Sequence, residues 1–157
     1  MDEKKQNFLD ELKKSQEDTV PFNKLIEMTI SYMSDDCVRV KIPMREKLMG
    51  NYSRRMLMGG MSSVLLDAAA SIMAIIGFMN KADAEDAWVY QKDPMERIAT
   101  VDLRTDFLRP GMGEWFEAEA VLIRCGRRLC VTRIDMYNDQ KKLISVGTAT
   151  HIFLEKL

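Results

Sequence analysis

The sequence predicts an α+β fold in which an antiparallel sheet wraps around one long helix. Residues 61–79 are apolar nearly all round and rich in the helix formers alanine and leucine. One pair of strand-like segments precedes them and four follow. A helix with no wet face needs cover on most sides, and a curved antiparallel sheet supplies it. The 157 residues fit one main domain. A chain of that size buries roughly 68–70% of its extended surface without needing staples.

Residues 2–18 mix charges with Phe8, Leu9 and Leu12, a narrow apolar stripe on a polar helix that the Asp10/Lys14 pair supports weakly. Val20-Pro21-Phe22 interrupts it. Residues 1–20 therefore read as a helical extension and 21–157 as the domain proper, with a short helical turn through Ile26. Segments 27–33 and 36–43 read as strands, since Val38, Val40 and Ile42 alternate with Arg39 and Lys41. Pro43, without an N–H for the ladder, ends the second.

Gly59-Gly60 marks the start of the long helix and Asn80 its end. At about 19 residues it is long enough to cross a bilayer. Asp67, however, would cost about 2.5–3.5 kcal/mol near a bilayer centre, so burial inside protein is the expectation. The polar stretch 81–97 is long for a compact domain and reads as a lid or loop. In it Trp88 and Tyr90 either cover an apolar ligand or anchor the segment.

Segments 98–107, 114–124, 129–138 and 142–154 read as an antiparallel meander. Pro110-Gly111, Gly126-Arg127-Arg128 and Asn138-Asp139-Gln140 stand at its turns. In the first segment Val101, Leu103 and Phe107 share one face, and Thr100, Asp102, Arg104 and Asp106 the other. In the second, Phe116, Ala118, Ala120 and Leu122 share a face opposite Glu117 and Glu119.

Charge and rare residues narrow the function. Lys plus Arg number 23 and Asp plus Glu 24, which argues against a nucleic-acid binder but leaves room for a local anion site. Asp2-Glu3-Lys4-Lys5 lacks the apolar core of a signal peptide, and Cys37, Cys125 and Cys130 include no CxxC pair; a reduced, cytoplasmic protein is expected. Cys125 and Cys130 either face each other across a hairpin or, as favoured here, are two small buried hydrophobes. His151 stands alone, so a multi-histidine metal site is ruled out and no metal is expected; His151 reads as structural.

Asp67 is the anomaly, because an ionised carboxylate in an apolar interior is costly unless it finds partners. Either it serves a function, or it reaches solvent or pairs with an arginine such as Arg54 or Arg104. Gly59 and Gly60 stand where unpaired helix N–H groups favour negative charge. Those N–H groups can polarise a carbonyl as an oxyanion hole, with Asp67 acting on a water or on the same carbonyl.

The run Gly50 to Gly60 with Asp67 resembles the active-site segment of hotdog-fold acyl-CoA thioesterases of the phenylacetyl-CoA (PaaI-type) branch. Thr100 to Gly111, Arg124 to Arg128 and Asn138 to Thr150 continue the likeness, which spans about 21–154. It implies a hotdog fold, assembly as homodimers or dimers of dimers, and active sites at the dimer interface. By position it implies Asp67 as general base or nucleophile and Gly60 as the N–H that polarises the thioester carbonyl. Asn51 falls near a substrate- or water-positioning asparagine, and Thr100 matches a residue that holds the attacking water. The position before the glycine pair, usually histidine in that family, is Met58, which cannot donate a hydrogen bond.

The implied substrate is an acyl-CoA thioester, with no separate cofactor. Arg109, Arg124, Arg127 and Arg128 are candidates for the coenzyme A phosphates, which guanidinium forks suit. Met58 also motivates the other reading, an acyl-CoA-binding or regulatory protein with little catalysis. A hydratase or dehydratase, which wants a histidine beside the carboxylate, ranks below both.

Overall fold

The computed structural model describes residues 3–81 and 97–154. Helix α1 (Glu3–Lys14) runs into a wider π-type turn, Ser15–Thr19, and then into α2 (Pro21–Leu25). Pro21 occupies the first turn of α2, where its missing N–H leaves no bond unmade. Strands β1 (Thr29–Met33) and β2 (Cys37–Pro43) follow, then a small hairpin of β3 (Met49–Asn51) and β4 (Met56–Leu57). The long helix α3 (Gly59–Met79) precedes β5 (Ile98–Phe107), β6 (Trp115–Cys125), β7 (Leu129–Asn138) and β8 (Leu143–Phe153). The connection expected at 81–97, with Trp88 and Tyr90, lies outside the described residues but for its two ends.

Six strands form one antiparallel sheet in the order β1-β2-β6-β7-β8-β5, curved around α3: the hotdog arrangement. Only β6, β7 and β8 make the expected meander. Strand β5 pairs with β8 rather than β6, so residues 108–114 form a crossover and Pro110-Gly111 is no hairpin turn. Gly111 lies in that crossover against β4, where Leu57 N–H donates to its carbonyl at 2.8 Å.

Alternation works as expected on β2 and β6. Val38, Val40, Ile42, Phe116, Ala118 and Ala120 are buried against α3, each larger apolar side chain worth about 1.5–3 kcal/mol when so covered. Alanines on both surfaces, Ala69 and Ala70 among them, let helix and sheet approach closely. Although α3 is long and apolar enough to cross a membrane, 67% of its most apolar stretch is buried within the protein. The stripe Phe8, Leu9, Leu12 of α1 joins the same core. Glu17 accepts a bond from the Ile30 N–H at 2.6 Å, so the extension engages the free edge of β1.

Cys125 and Cys130 are cross-strand partners at the end of the β6–β7 ladder, with their sulfurs in contact. They face each other across the hairpin, the alternative ranked second from the sequence, and Cys130 is at the same time buried in an apolar cluster with Ala74 and Phe78. A bulge at Ile123 turns Cys125 to the helix side, where Cys130 already points.

Candidate active site

Helix α3 carries one polar line on an apolar surface. Ser63, Asp67 and Ser71 are spaced four apart and therefore stack on a single face. That face meets β5 and β8. Ser63 Oγ donates to Thr105 Oγ1 at 3.3 Å, Thr100 Oγ1 donates to Asp67 Oδ1 at 3.0 Å, and Ser71 Oγ lies 2.9 Å from His151 Nε2. Phe107 closes the line at the helix start, its ring 3.6 Å from where a side chain on Gly59 would begin.

Asp67 is not sealed in an apolar interior. Its side chain is 39% exposed, because β5 is an edge strand and the helix flank beside it is open. Nor, among the described residues, does it pair with an arginine: Arg104 bonds Asp106 instead. Its partners are Thr100 and, at 3.7 Å, His151 Nε2.

Thr100 reaches the helix through a bulge. The register runs Thr100↔His151 and then Asp102↔Thr150, leaving Val101 as the extra residue. One extra residue inverts the alternation, so Thr100 shares the inner face with Leu103 instead of opposing it. The period-two reading of residues 98–107 is corrected at this point: Val101 is 57% exposed and Thr100 bonds the helix carboxylate.

Gly60 stands in the first turn of α3. Met58 is the N-cap and makes no side-chain cap, so the first N–H groups of the helix keep their donor capacity outward. Gly60 and Asp67 are seven residues apart, nearly two full turns, and so lie on one side about 10 Å apart along the axis.

Asn51 does not join this group within the chain. Its Oδ1 accepts from Ser53 Oγ at 2.9 Å and from the Arg54 N–H at 3.2 Å, stabilising the β3–β4 turn. The four candidate arginines do not converge either. Arg109 lies at the helix-start end, where its Nη1 donates to the Leu143 carbonyl at 2.8 Å. There Arg54, Arg55, Arg109 and Lys142 line a cleft of about 640 Å³, with Glu114 and Asp139 on its wall. Arg124, Arg127 and Arg128 cluster at the β6–β7 turn, beside Gly77 near the other end of α3.

Sequence reasoning missed His151 as a neighbour of Asp67, and with it Ser71. The four-residue spacing of Ser63, Asp67 and Ser71 was the available signal, marking a helix face too polar for plain core.

A family model described as the thioesterase superfamily matches residues 55–145. The chain is 29% identical over 135 residues, 85% of each sequence, to the medium/long-chain acyl-CoA thioesterase YigI of Escherichia coli K12. To YigI of Salmonella typhimurium it is 27% identical over 135 residues, again 85% of each. A crystal structure from Shewanella oneidensis related to the thioesterase superfamily superposes with a TM-score of 0.89 at 29% identity, covering 98% of this chain and 99% of that one. A second, from Syntrophus aciditrophicus, gives 0.86 at 31% identity, covering 98% and 100%. The family model describes the superfamily as a whole and singles out no branch of it. With a superfamily model matching more than half of the chain and the helix wrapped by its sheet, this protein belongs to the thioesterase superfamily and has the hotdog fold.

Proposed function

We propose that the protein hydrolyses acyl-CoA thioesters, with Asp67 as the general base that takes a proton from the attacking water. The observation that carries this reading is the half-exposed Asp67 carboxylate, held at Oδ1 by Thr100 and open to solvent on the flank between α3 and β5. A carboxylate so held is oriented without being neutralised, which suits proton abstraction. The YigI relatives, named as medium/long-chain acyl-CoA thioesterases, support the substrate class.

The oxyanion that forms on the carbonyl is assigned to the Gly60 N–H. That donor points along the helix axis beyond its start, away from Asp67, and the two groups are already about 10 Å apart along the axis. One thioester cannot meet both on a single helix. The complete site therefore takes Gly60 from one copy and Asp67 from a second, in a homodimer closed over the exposed flank of β5. Asn51, engaged in its own turn beside the helix start, then faces the partner's substrate rather than its own Asp67.

Arg109, with Arg54, Arg55 and Lys142 around the same cleft, is assigned to the coenzyme A phosphates, because four cations converge there. Met58 favours the second reading, a protein that binds acyl-CoA with little turnover, since its thioether gives no hydrogen bond to the oxyanion.

Free-thiol release from a panel of acyl-CoA esters separates the two. Asp67→Asn is expected to fold normally and to lose about 100-fold or more in kcat. Tight binding of acyl-CoA by calorimetry with no thiol released by the wild type would select the second reading instead.

A further inference from the structure

His151 is the only histidine in the chain, and its side chain is 1% exposed. It lies on β8 directly across from Thr100, with Cys130 of β7 on its other side. Its Nε2 is 2.9 Å from Ser71 Oγ, 3.3 Å from Thr100 Oγ1 and 3.7 Å from Asp67 Oδ1. Its Nδ1 is buried with no hydrogen-bond partner among the described residues.

These contacts bear on where the ring proton sits. Thr100 has one hydroxyl proton, and it goes to Asp67 Oδ1. The Thr100 oxygen is then left to meet Nε2 as an acceptor, which points to Nε2 as the protonated nitrogen. A neutral imidazole has one donor and one acceptor, which leaves Nδ1 bare, as its lack of any acceptor nearby requires.

We propose that His151 is a positioning residue for Asp67. Its Nε2–H, shared between Ser71 and Thr100, sets the Thr100 hydroxyl so that its proton points at Oδ1, leaving Oδ2 to the reacting water. The idea rests on the thioesterase reading above. A purely structural site of this shape would favour a leucine or phenylalanine, since a buried ring nitrogen without a partner is costly. An imidazole kept under that penalty, with its one donor aimed into the carboxylate's own hydrogen-bond chain, is accounted for by the chain it supports.

Histidine-selective 15N NMR reads this one residue without overlap. The expected result is a proton on Nε2, with that signal moving in Thr100→Val. In acyl-CoA turnover, His151→Leu should lower kcat roughly tenfold with KM within about twofold, the pattern of lost alignment rather than lost binding. His151→Gln, whose amide can still donate, should recover most of that loss. Combined with Thr100→Val, His151→Leu should add little, because both break the same chain.

A proton on Nδ1, or a folded His151→Leu enzyme with wild-type kcat, overturns the proposal. Should His151→Leu fail to melt cooperatively, the tautomer in the wild type and in Thr100→Val decides. Absence of thiol release by the wild type would sink the thioesterase reading alone, since the tautomer is still measurable.

Discussion

Asp67 sits among hydroxyls and an imidazole because residues four apart on a helix stack on one side, and this side faces the strands that supply Thr100 and His151. Being partly in water, it needs no charged partner to be tolerated. Its replacement by asparagine should therefore leave stability within about 0.5 kcal/mol, measured by denaturant unfolding, while turnover falls. Arg109 gives a prediction of the opposite kind. Arg109→Ala should raise KM for acyl-CoA several-fold with kcat nearly unchanged, since a phosphate contact remote from the carbonyl contributes equally to ground and transition states. A rise seen instead in Arg127→Ala would move the phosphates to the β6–β7 turn. Asp67 was legible in the sequence because charge in an oily helix is conspicuous. Thr100 was legible only by resemblance, for alternation placed it on the wrong face until Val101 was seen to bulge. His151 was illegible, since nothing local in the last strand tells which helix residue lies above it.

Strand periodicity identifies strands, not their neighbours. The six large strands were readable from alternating residues, yet β5 was assigned to β6 by sequence proximity, whereas it pairs with β8. The β3–β4 hairpin escaped altogether, being only three and two residues long. Pairing of β5 with β8 depends on close approach at Gly147, where an added Cβ would lie 2.6 Å from the Arg104 carbonyl oxygen and 3.4 Å from Leu66. Backbone cannot yield there as a flexible side chain would. Gly147→Ala should therefore cost about 1–3 kcal/mol in chemical unfolding. It should also lower kcat, because the displaced strand carries Thr100. A Gly147→Ala protein as stable and active as the wild type would show that β5 has slack.

For the whole molecule, a site divided between copies makes a prediction no monomer can meet. Asp67→Asn removes the proposed base. Gly60→Pro removes one N–H in the first helical turn, where proline is best tolerated. Each variant alone should be nearly inactive. Unfolded together and refolded as a random mixture of dimers, they should recover about a quarter of wild-type activity, since half of the dimers are mixed and each mixed dimer has one intact site. No recovery, with mixed dimers demonstrated by mass spectrometry, would place both groups in the same subunit's site. Assembly state and cross-subunit geometry were beyond reading from local sequence pattern, because they depend on which surfaces of a finished fold stay open.

Those surfaces are not equivalent, and the N-terminal extension is the reason. A sheet with two bare rims invites endless lateral growth. In this chain Glu17 already takes the Ile30 amide on the β1 rim, and α1 lies alongside it. In the proposed dimer, pairing is thereby left to the β5 rim, and two copies joined there about a two-fold axis would exhaust each other's valence. In that proposed assembly the extension would act as a chain terminator, favouring a closed pair over a fibre.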